Sequence, residues 1–359
     1  MVKKIKIFLG GSINYTNAQN LNCLALAKYL DKEKFIIYTL QYYSGMLKDQ
    51  RGEIIGVNIF NCFRPAKISL YLGFLWGIWN CDVAYLPKSE LWKYNRFLLW
   101  LFNKKSFSTV EGIFDEVAFN NAIKAYGSEK SFLSAKKYFT KLYSITAYMN
   151  QYNKEKFNIV TEPNTLYLGV ENSFVPLANK GNTLNAILMI GNDLVRKGAL
   201  EYLDIATKFD QIEFILAGSG NGKIDLNKEI KDRNIKNVKY VGMVSTTQLK
   251  ELLNIVQLHI LPSRSEGFPK VILETASAGV PSVIYNDYGA DEWITTGENG
   301  WVVKTVDQMI TLVEALVANP SKLQEASKRA VALAEKFDWK ILVKDWEEVI
   351  IDVYNSEKN

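Results

Sequence analysis

Two glutamates eight residues apart are the side chains of this sequence best suited to bind a polar ligand. Glu266 and Glu274 both lie in the segment Ser263–Gly279, S-R-S-E-G-F-P-K-V-I-L-E-T-A-S-A-G. An apolar run of strand length precedes the segment, and apolar residues at helical spacing end it, so the pattern predicts a strand, a glycine turn and a helix. The start of a helix binds anions through its N–H groups, and carboxylates accept hydrogen bonds from hydroxyl groups. A nucleotide sugar offers both phosphates and hydroxyls.

The same segment resembles the signature of retaining glycosyltransferases of family 4, which have the GT-B fold. That family carries an E-x7-E motif, often as E-G-F-P-x-V-x-x-E-A-x-A-x-G-x-P, and this chain reads E-G-F-P-K-V-I-L-E-T-A-S-A-G-V-P. The resemblance implies that Glu274 binds the ribose and that Glu266 binds the donor sugar. It implies a donor-binding role for the adjoining turn as well, which comprises Gly267, Phe268, Pro269, Lys270 and Val271.

A second motif, Gly191–Gly198, reads G-N-D-L-V-R-K-G between a predicted strand and a predicted helix. The resembled family has G-R-x-x-x-x-K-G here, and its Arg and Lys hold the donor diphosphate. Lys197 keeps the lysine, Asn192 replaces the arginine, and Arg196 is a neighbour that could supply the missing charge. Some bacterial lipopolysaccharide glucosyltransferases look similar, with G-x-D-x-x-R-K-G. Two cations would stabilise the charge that the diphosphate gains as the glycosidic bond breaks, so Lys197 and Arg196 are predicted to be catalytic residues, together with Glu266.

Shorter matches add further donor-binding positions. The family resemblance extends to A-G-S-G and to the end of the strand 238–241, which adds Gly218, Met243 and Val244 to the predicted donor site. In the first half of the chain, an alternating apolar strand runs into Gly10 and Gly11, followed by Ser12 and a helix pattern. A strand, a glycine turn and a helix form the phosphate-binding opening of doubly wound sheets. A similar glycine loop in the family faces the donor diphosphate.

Glu111 follows the predicted strand 106–110, in S-T-V-E-G. Many family members have a histidine here, in V-x-V-H-[DG], beside the transferred sugar. A glutamate accepts hydrogen bonds where an imidazolium donates them. We therefore expect Glu111 to be a catalytic residue that stabilises positive charge on the sugar or orients the acceptor hydroxyl. The alternatives are a carboxylate nucleophile that forms a covalent intermediate and a solvated loop carboxylate.

Composition excludes several classes of protein. The chain has 359 residues, 48% hydrophobic and 23% charged, with a formal net charge of +5. These values are ordinary for a globular protein, and no arginine-rich segment indicates nucleic acid binding. Three cysteines form no C-x-x-C pair, and His259 is the single histidine, which removes Ser-His-Asp catalysis and histidine-ligated metal sites. The N-terminus lacks the apolar length of a signal peptide, so we expect a cytoplasmic location.

Alternating strand and helix patterns predict an α/β protein with parallel sheets, and the length predicts two domains. The residues 118–137 are expected to form one helix. In the GT-B family, the last helix crosses back to the first domain. We accordingly expect a fold of two Rossmann-like domains that face a central cleft. The predicted parts are an acceptor-binding domain (1–167), a hinge (168–180), a nucleotide-sugar-binding domain (181–336) and the returning helix (337–359).

The stretch 61–107 combines basic residues with tryptophan. It holds seven Lys or Arg against Asp82 and Glu90, and four of the eight tryptophans of the chain. Such a mixture suits a membrane interface or an extended glycan surface. The simpler alternative is a pair of amphipathic helices with solvated lysines. We expect Lys93, Arg96, Lys104 and Lys105 to contact anionic lipid.

The motifs together predict a retaining hexosyltransferase that moves a sugar from a nucleotide-diphosphate sugar to a hydroxyl of a glycan, glycoprotein or lipid-linked acceptor. A UDP- or GDP-type donor is expected, with no metal ion or other cofactor and with no nucleic acid partner. A polysaccharide-synthesising enzyme of this kind could bind peripherally to the inner membrane surface. Two alternatives stay open, a GT-B-fold nucleotide-sugar epimerase and a non-catalytic nucleotide-sugar-binding protein.

Overall fold

The computed structural model describes residues 3–15, 17–42, 53–88, 91–113, 115–171, 183–220, 222 and 224–357. The chain divides into two compact units, Val170–Asp338 and a unit made of Met1–Gly169 together with Trp339–Asn359. Each unit is built on one six-stranded parallel sheet flanked by helices. The predicted α/β class with two Rossmann-like domains is confirmed. Residues 172–180 of the predicted hinge lie outside the described residues.

The first unit carries the strand order β3-β2-β1-β4-β5-β6, which is that of a doubly wound sheet. Its strands are β1 (Ile5–Ser12), β2 (Phe35–Gln41), β3 (Val57–Asn61), β4 (Val83–Tyr85), β5 (Lys105–Val110) and β6 (Lys141–Ser144). Its helices are α1 (Ala18–Tyr29), α2 (Ala66–Asn80), α3 (Trp92–Leu101), α4 (Glu116–Tyr126), α5 (Glu129–Lys137) and α6 (Ala147–Phe157). The expected single helix 118–137 is wrong, because Gly127 ends α4 in a left-handed conformation (φ 81°) and Ser128 caps α5.

Gly10 and Gly11 lie inside β1 and do not form the expected turn. A Cβ at Gly10 would come within 2.8 Å of Leu86 Cδ2, and one at Gly11 within 2.7 Å of Cys23 Sγ. The close packing of β1 against its neighbours therefore favours glycine at both positions. The backbone N–H of Ser12, the last residue of β1, donates to Asn20 Oδ1 at 2.9 Å.

The second unit repeats the architecture with the order β12-β11-β10-β7-β8-β9. Its strands are β7 (Ala186–Asn192), β8 (Glu213–Ser219), β9 (Val238–Gly242), β10 (Leu258–Leu261), β11 (Ser282–Tyr285) and β12 (Gly300–Val303). Its helices are α7 (Ala199–Ala206), α8 (Leu226–Asp232), α9 (Thr246–Ile255), α10 (Lys270–Ser277), α11 (Val306–Ala318) and α12 (Pro320–Lys336).

Strand β7 shows that the sheet of the second unit is buried on both faces. Ile187 and Met189 belong to one buried cluster, whereas Ala186, Leu188 and Ile190 belong to another. Alternate residues of a strand point to opposite faces, so both faces of the sheet are covered by apolar side chains. This burial fixes the strand and with it the position of the loop that follows.

The last helix, α13 (Trp339–Asn355), belongs to the first unit. Trp346 is fully buried, packs edge-on against Tyr85 at 5.2 Å between ring centroids, and donates its Nε1–H to the carbonyl of Tyr167. Glu347 accepts hydrogen bonds from the backbone N–H of Asp31 and from Lys34 Nζ. The chain therefore returns to its first sheet after completing the second.

Candidate active site

The two charged motifs of the second unit follow adjacent strands. Strand β7 leads into the loop that carries Lys197, and β10 leads into the loop that carries Glu266. The two strands are paired in parallel, Leu258 with Ile187 and His259 with Leu188. In open α/β sheets, ligands bind at the carboxyl ends of the strands where the strand order reverses. The position of both loops is therefore that of a ligand site.

Lys197 and Glu266 form a nearly buried ion pair. Lys197 Nζ lies 2.7 Å from Glu266 Oε1, with 11% and 9% of the two side chains exposed. Arg196 is more exposed; its Nη1 donates to the carbonyl of Ser265 at 2.7 Å, and its Nη2 lies 3.7 Å from the same Glu266 oxygen. The structure thus brings together three of the predicted catalytic side chains.

Glycines allow the 191–198 loop to pack this closely. A Cβ at Gly191 would come within 2.4 Å of Lys197 Cδ. Gly198 has a φ of 89°, and a Cβ there would lie 2.2 Å from the carbonyl oxygen of Pro262, just beyond β10. Gly218, at the end of β8, has a φ of 139° and would place a Cβ 1.9 Å from the carbonyl oxygen of Gly191. Gly218 therefore has a structural role in addition to its predicted place in the donor site.

Helix α10 begins at the predicted turn. Pro269 is its N-cap and provides no side-chain capping bond. The side chain of Phe268 is buried against Trp293 and Phe337, at 5.1 and 5.3 Å between ring centroids. Gly267 and Lys270 are half-buried, and Val271 packs against a core cluster. The apolar side chains fix the turn, so any ligand contact from Phe268 would come from its backbone.

Glu274 lies one turn into α10. Desolvation raises the pKa of its carboxyl, and the charge of Lys270, four residues earlier, opposes that rise. A desolvated carboxylate gains stability from any donor that a ligand brings to it. Ribose hydroxyls would be such donors.

The remaining predicted donor residues lie on other elements. Asn192 is exposed at the end of β7. Met243 is exposed and Val244 half-buried, beyond the edge strand β9, which is separated from β7 by β8. Gly10, Gly11 and Ser12 belong to the first unit.

Glu111 follows β5 in the first unit and is held by three donors. Its Oε1 accepts from Thr109 Oγ1 at 2.9 Å, Asn22 Nδ2 at 3.2 Å and the Tyr85 hydroxyl at 3.4 Å. Lys136 on α5 adds a positive charge; desolvation lowers the pKa of Lys136 to about 8, and Glu111 opposes that fall. The side chain is half-buried and accepts hydrogen bonds from three neighbours, which favours a defined role over a solvated loop carboxylate.

Sequence reasoning did not single out Arg264, in the loop that carries Glu266, or Tyr288, on which the charge of Glu266 acts. Arg264 stacks over the ring of Tyr285, 4.1 Å from its centroid, and pairs with Asp287 at 3.1 Å. Tyr288 is fully buried; burial and then the charge of Glu266 raise the pKa of its hydroxyl well above the ordinary range. Arg264 lies two residues before Glu266 in the motif, which is a signal that could have found it. Tyr288 directly precedes Gly289–Glu292, a segment that resembles the family's G-x-x-E motif, and that neighbourhood is its signal.

His259 is buried in β10, as expected of a core strand residue. Its Nδ1 lies 2.9 Å from Ser282 Oγ. Burial, and secondarily the charge of Lys197, lowers the pKa of His259 from 6.5 to about 3. The imidazole is therefore neutral in the folded protein at physiological pH.

We predict that His259 destabilises the protein in acid. Between pH 6.5 and about 3, the unfolded chain binds a proton at His259 that the folded chain does not, so stability falls as the pH falls through this window. The loss should reach about 2 kcal/mol at pH 5. Urea unfolding of the wild type and His259→Asn at pH 7 and pH 5 measures it, because an asparagine can still bond Ser282 but does not titrate. Equal losses in the two proteins would contradict the assignment.

No group of three or more His, Cys, Asp or Glu side chains able to hold a metal ion occurs among the residues that the structure describes. The positive charge of the site comes from Lys197 and Arg196.

Comparisons with known proteins relate the chain to glycosyltransferases. Residues 175–332, which make up most of the second unit, match the family Glycosyl transferases group 1. The chain is 27% identical over 220 residues to an alpha-galactosylglucosyldiacylglycerol synthase of Streptococcus pneumoniae, covering 59% of this chain and 55% of that protein. It is 27% identical over 145 residues to a poly(glycerol-phosphate) alpha-glucosyltransferase of Bacillus subtilis, covering 40% and 21%. The first of these alignments spans little more than half of the relative.

Solved structures resemble the whole chain. A sucrose-phosphate synthase from Thermosynechococcus elongatus superposes with a TM-score of 0.79 at 12% identity, covering 99% of this chain and 100% of that one. Anabaena HepE in complex with UDP-glucose gives 0.76 at 14% identity, covering 97% and 100%. At such identities the likeness shows the shared two-domain fold.

Proposed function

We propose that the protein is a retaining hexosyltransferase that moves a sugar from a nucleotide-diphosphate sugar to the hydroxyl of a glycan or glycolipid. The observation that carries this proposal is the Lys197–Glu266 pair at the carboxyl ends of β7 and β10, beside the start of α10. Cations, a carboxylate and a helix start together match the phosphates and hydroxyls of such a donor.

Lys197 and Arg196 would act on the leaving group, the nucleoside diphosphate. As the bond between the anomeric carbon and the diphosphate breaks, negative charge grows on the phosphate oxygens. Lys197, nearly buried, would stabilise that charge more strongly than the half-exposed Arg196, because solvent screens an exposed charge. With cations supplied by side chains, we propose that transfer needs no metal ion.

Glu266 would have two roles. Its 2.7 Å contact with the ammonium group of Lys197 would fix that group in the site, and its carboxylate would accept hydrogen bonds from the donor sugar. Glu274 would accept hydrogen bonds from the ribose. Retention of configuration rests on the resemblance to family 4 and is part of the proposal.

Names of the relatives support the donor and acceptor classes. HepE was solved with UDP-glucose, which favours a UDP-type donor. The Streptococcus and Bacillus relatives are named for a glycolipid and for poly(glycerol-phosphate), which favours a glycolipid or glycan acceptor. A cytoplasmic enzyme at the inner membrane surface would reach both substrates.

The test is a panel of UDP-, GDP- and ADP-sugars, each with and without glycoside and glycolipid acceptors, in buffer containing EDTA. We expect nucleotide release that depends on an acceptor, and a product whose anomeric configuration by NMR equals that of the donor. Release without an acceptor would point to the epimerase. Binding without release would point to the non-catalytic alternative, and an inverted product would contradict retention.

A further inference from the structure

Helices α2 and α3 expose an apolar face. On α2, Ile68, Leu72 and Trp79 are exposed, at spacings that place them along one side of the helix. On α3 the exposed apolar side chains are Phe97, Trp100 and Leu101. The two tryptophans stand out most, with 61% of Trp79 and 71% of Trp100 accessible to solvent. Large side chains exposed together mark an interaction surface.

The exposed side chains of α2 border an apolar groove. It has a volume of about 620 Å³. Its lining includes Phe60, Phe63, Leu72, Trp76, Trp79 and Phe102. Trp79 packs edge-on against Phe102, 4.7 Å between ring centroids, and Phe102 immediately follows α3. The groove on α2 therefore adjoins α3, and the two helices form one surface, which we call the α2–α3 face.

Basic side chains accompany this face. Arg64 and Lys67, next to and at the start of α2, and Lys93 and Arg96 on α3 are all exposed. Over the described residues between 60 and 105, Asp82 is the one acidic side chain, and its carboxylate accepts from the backbone N–H of Lys6. The face is therefore apolar and positively charged at once.

Two lysines expected to contact lipid are engaged elsewhere. Lys104 Nζ donates to the carbonyl of Cys81, and Lys105 Nζ donates to the carbonyl of Tyr354. That part of the sequence-based prediction is corrected. Arg64 and Lys67 take their place, since both are exposed next to the groove-lining segment of α2.

We infer that the α2–α3 face docks on an anionic phospholipid bilayer. Tryptophan prefers the level of the lipid headgroups, and each Lys or Arg near an anionic surface adds attraction. Helix α2 has 15 residues, short of the ~20 needed to cross the hydrocarbon core, and none of the described helices is long and apolar enough to span a membrane. A helix of this kind lies in the interface plane. The inference rests on the proposed function for one point, that the acceptor is a membrane glycolipid.

The experiment is co-sedimentation with vesicles of phosphatidylcholine alone or mixed with phosphatidylglycerol, at low and high salt. We expect the wild type to sediment with the anionic vesicles at low salt and to be released at high salt. The double variant Lys93→Gln/Arg96→Gln should bind about 30-fold more weakly, at roughly fivefold for each charge. Trp79→Ser/Trp100→Ser should weaken binding in a way that salt does not change.

The matched control is Lys236→Gln/Lys239→Gln, which removes two exposed charges from the second unit. It should bind vesicles as the wild type does. Equal losses in this control, or no binding of the wild type to anionic vesicles, would overturn the inference. Sedimentation equilibrium provides a further check, because a wild-type dimer that the tryptophan variant abolishes, without vesicle binding, would assign the face to a second copy.

Transfer to a short water-soluble acceptor separates this inference from the proposed function. The α2–α3 variants should keep wild-type rates on such an acceptor. If they do so while vesicle binding is absent in all proteins, the docking inference fails and the proposed function stands. If nucleotide release is absent while anionic vesicles are bound, the proposed function fails and the docking stands.

Discussion

Replacing Lys197 with alanine should lower kcat/KM for the nucleotide-sugar donor about 30- to 1000-fold. The ammonium group is nearly buried and 2.7 Å from Glu266, so its charge is little screened by solvent. We expect both a higher donor KM and a lower kcat, because the lysine would contact phosphates in the ground state and more strongly in the transition state. Steady-state kinetics with the donor identified by the nucleotide-sugar panel measures both constants.

Loss of Lys197 also leaves the carboxylate of Glu266 without its closest cation, which can destabilise the second unit. Thermal unfolding of each variant therefore accompanies the kinetics. Arg196→Ala tests whether Arg196 compensates for Asn192, and a smaller effect is expected because Arg196 is half-exposed. Lys208→Ala, at an exposed position just beyond α7, is the matched control and should leave the kinetics unchanged. Wild-type kinetics in a folded Lys197→Ala protein would contradict the proposal that Lys197 binds the donor diphosphate.

The local sequence pattern was sufficient to predict the secondary structure of those parts of the site that lie on one segment. The apolar run before Ser263 and the helical spacing after Pro269 predict a strand, a turn and a helix, and these are β10, the loop and α10. Each signal is encoded within a few residues of the feature that it predicts. The same holds for α2 and α3: the sequence pattern predicts helices over 68–79 and 91–102, and the helices span Ala66–Asn80 and Trp92–Leu101.

Contacts between distant segments could not be predicted in this way. Lys197 and Glu266 are separated by 69 residues and meet because β7 and β10 are neighbours in the sheet. Sheet order depends on the packing of the whole unit, which no single motif encodes. For the same reason, the sequence did not predict that Lys105 donates to the carbonyl of Tyr354, 249 residues away. Gly10 and Gly11 show a further limit, since a glycine favoured by close packing and one required by a turn look alike in sequence.

Glu111→Gln should lower kcat roughly 100-fold with little change in donor KM. The substitution keeps the shape of the side chain and removes its negative charge. We propose that this charge acts on the positive charge that develops on the transferred sugar, which exists in the transition state and not in the bound donor. Its place after β5, at the carboxyl edge of the first sheet, is where open α/β sheets bind ligands. Donor saturation curves of the wild type and the variant give both constants.

Because Glu111 Oε1 accepts from three donors, a structural role of the carboxylate is the competing explanation. The variant Thr109→Val distinguishes the catalytic role from the structural one. Valine matches the size of threonine but cannot donate, so this variant loses one support of the carboxylate and keeps its charge. If the charge acts on the sugar, Thr109→Val should retain most of kcat while Glu111→Gln loses it. Near-normal kcat in Glu111→Gln, or equal losses in both variants, would show that the carboxylate serves the structure of the first unit. An active Glu111→Gln protein would then leave Lys197 and Arg196 as the charged groups on which the proposed chemistry depends.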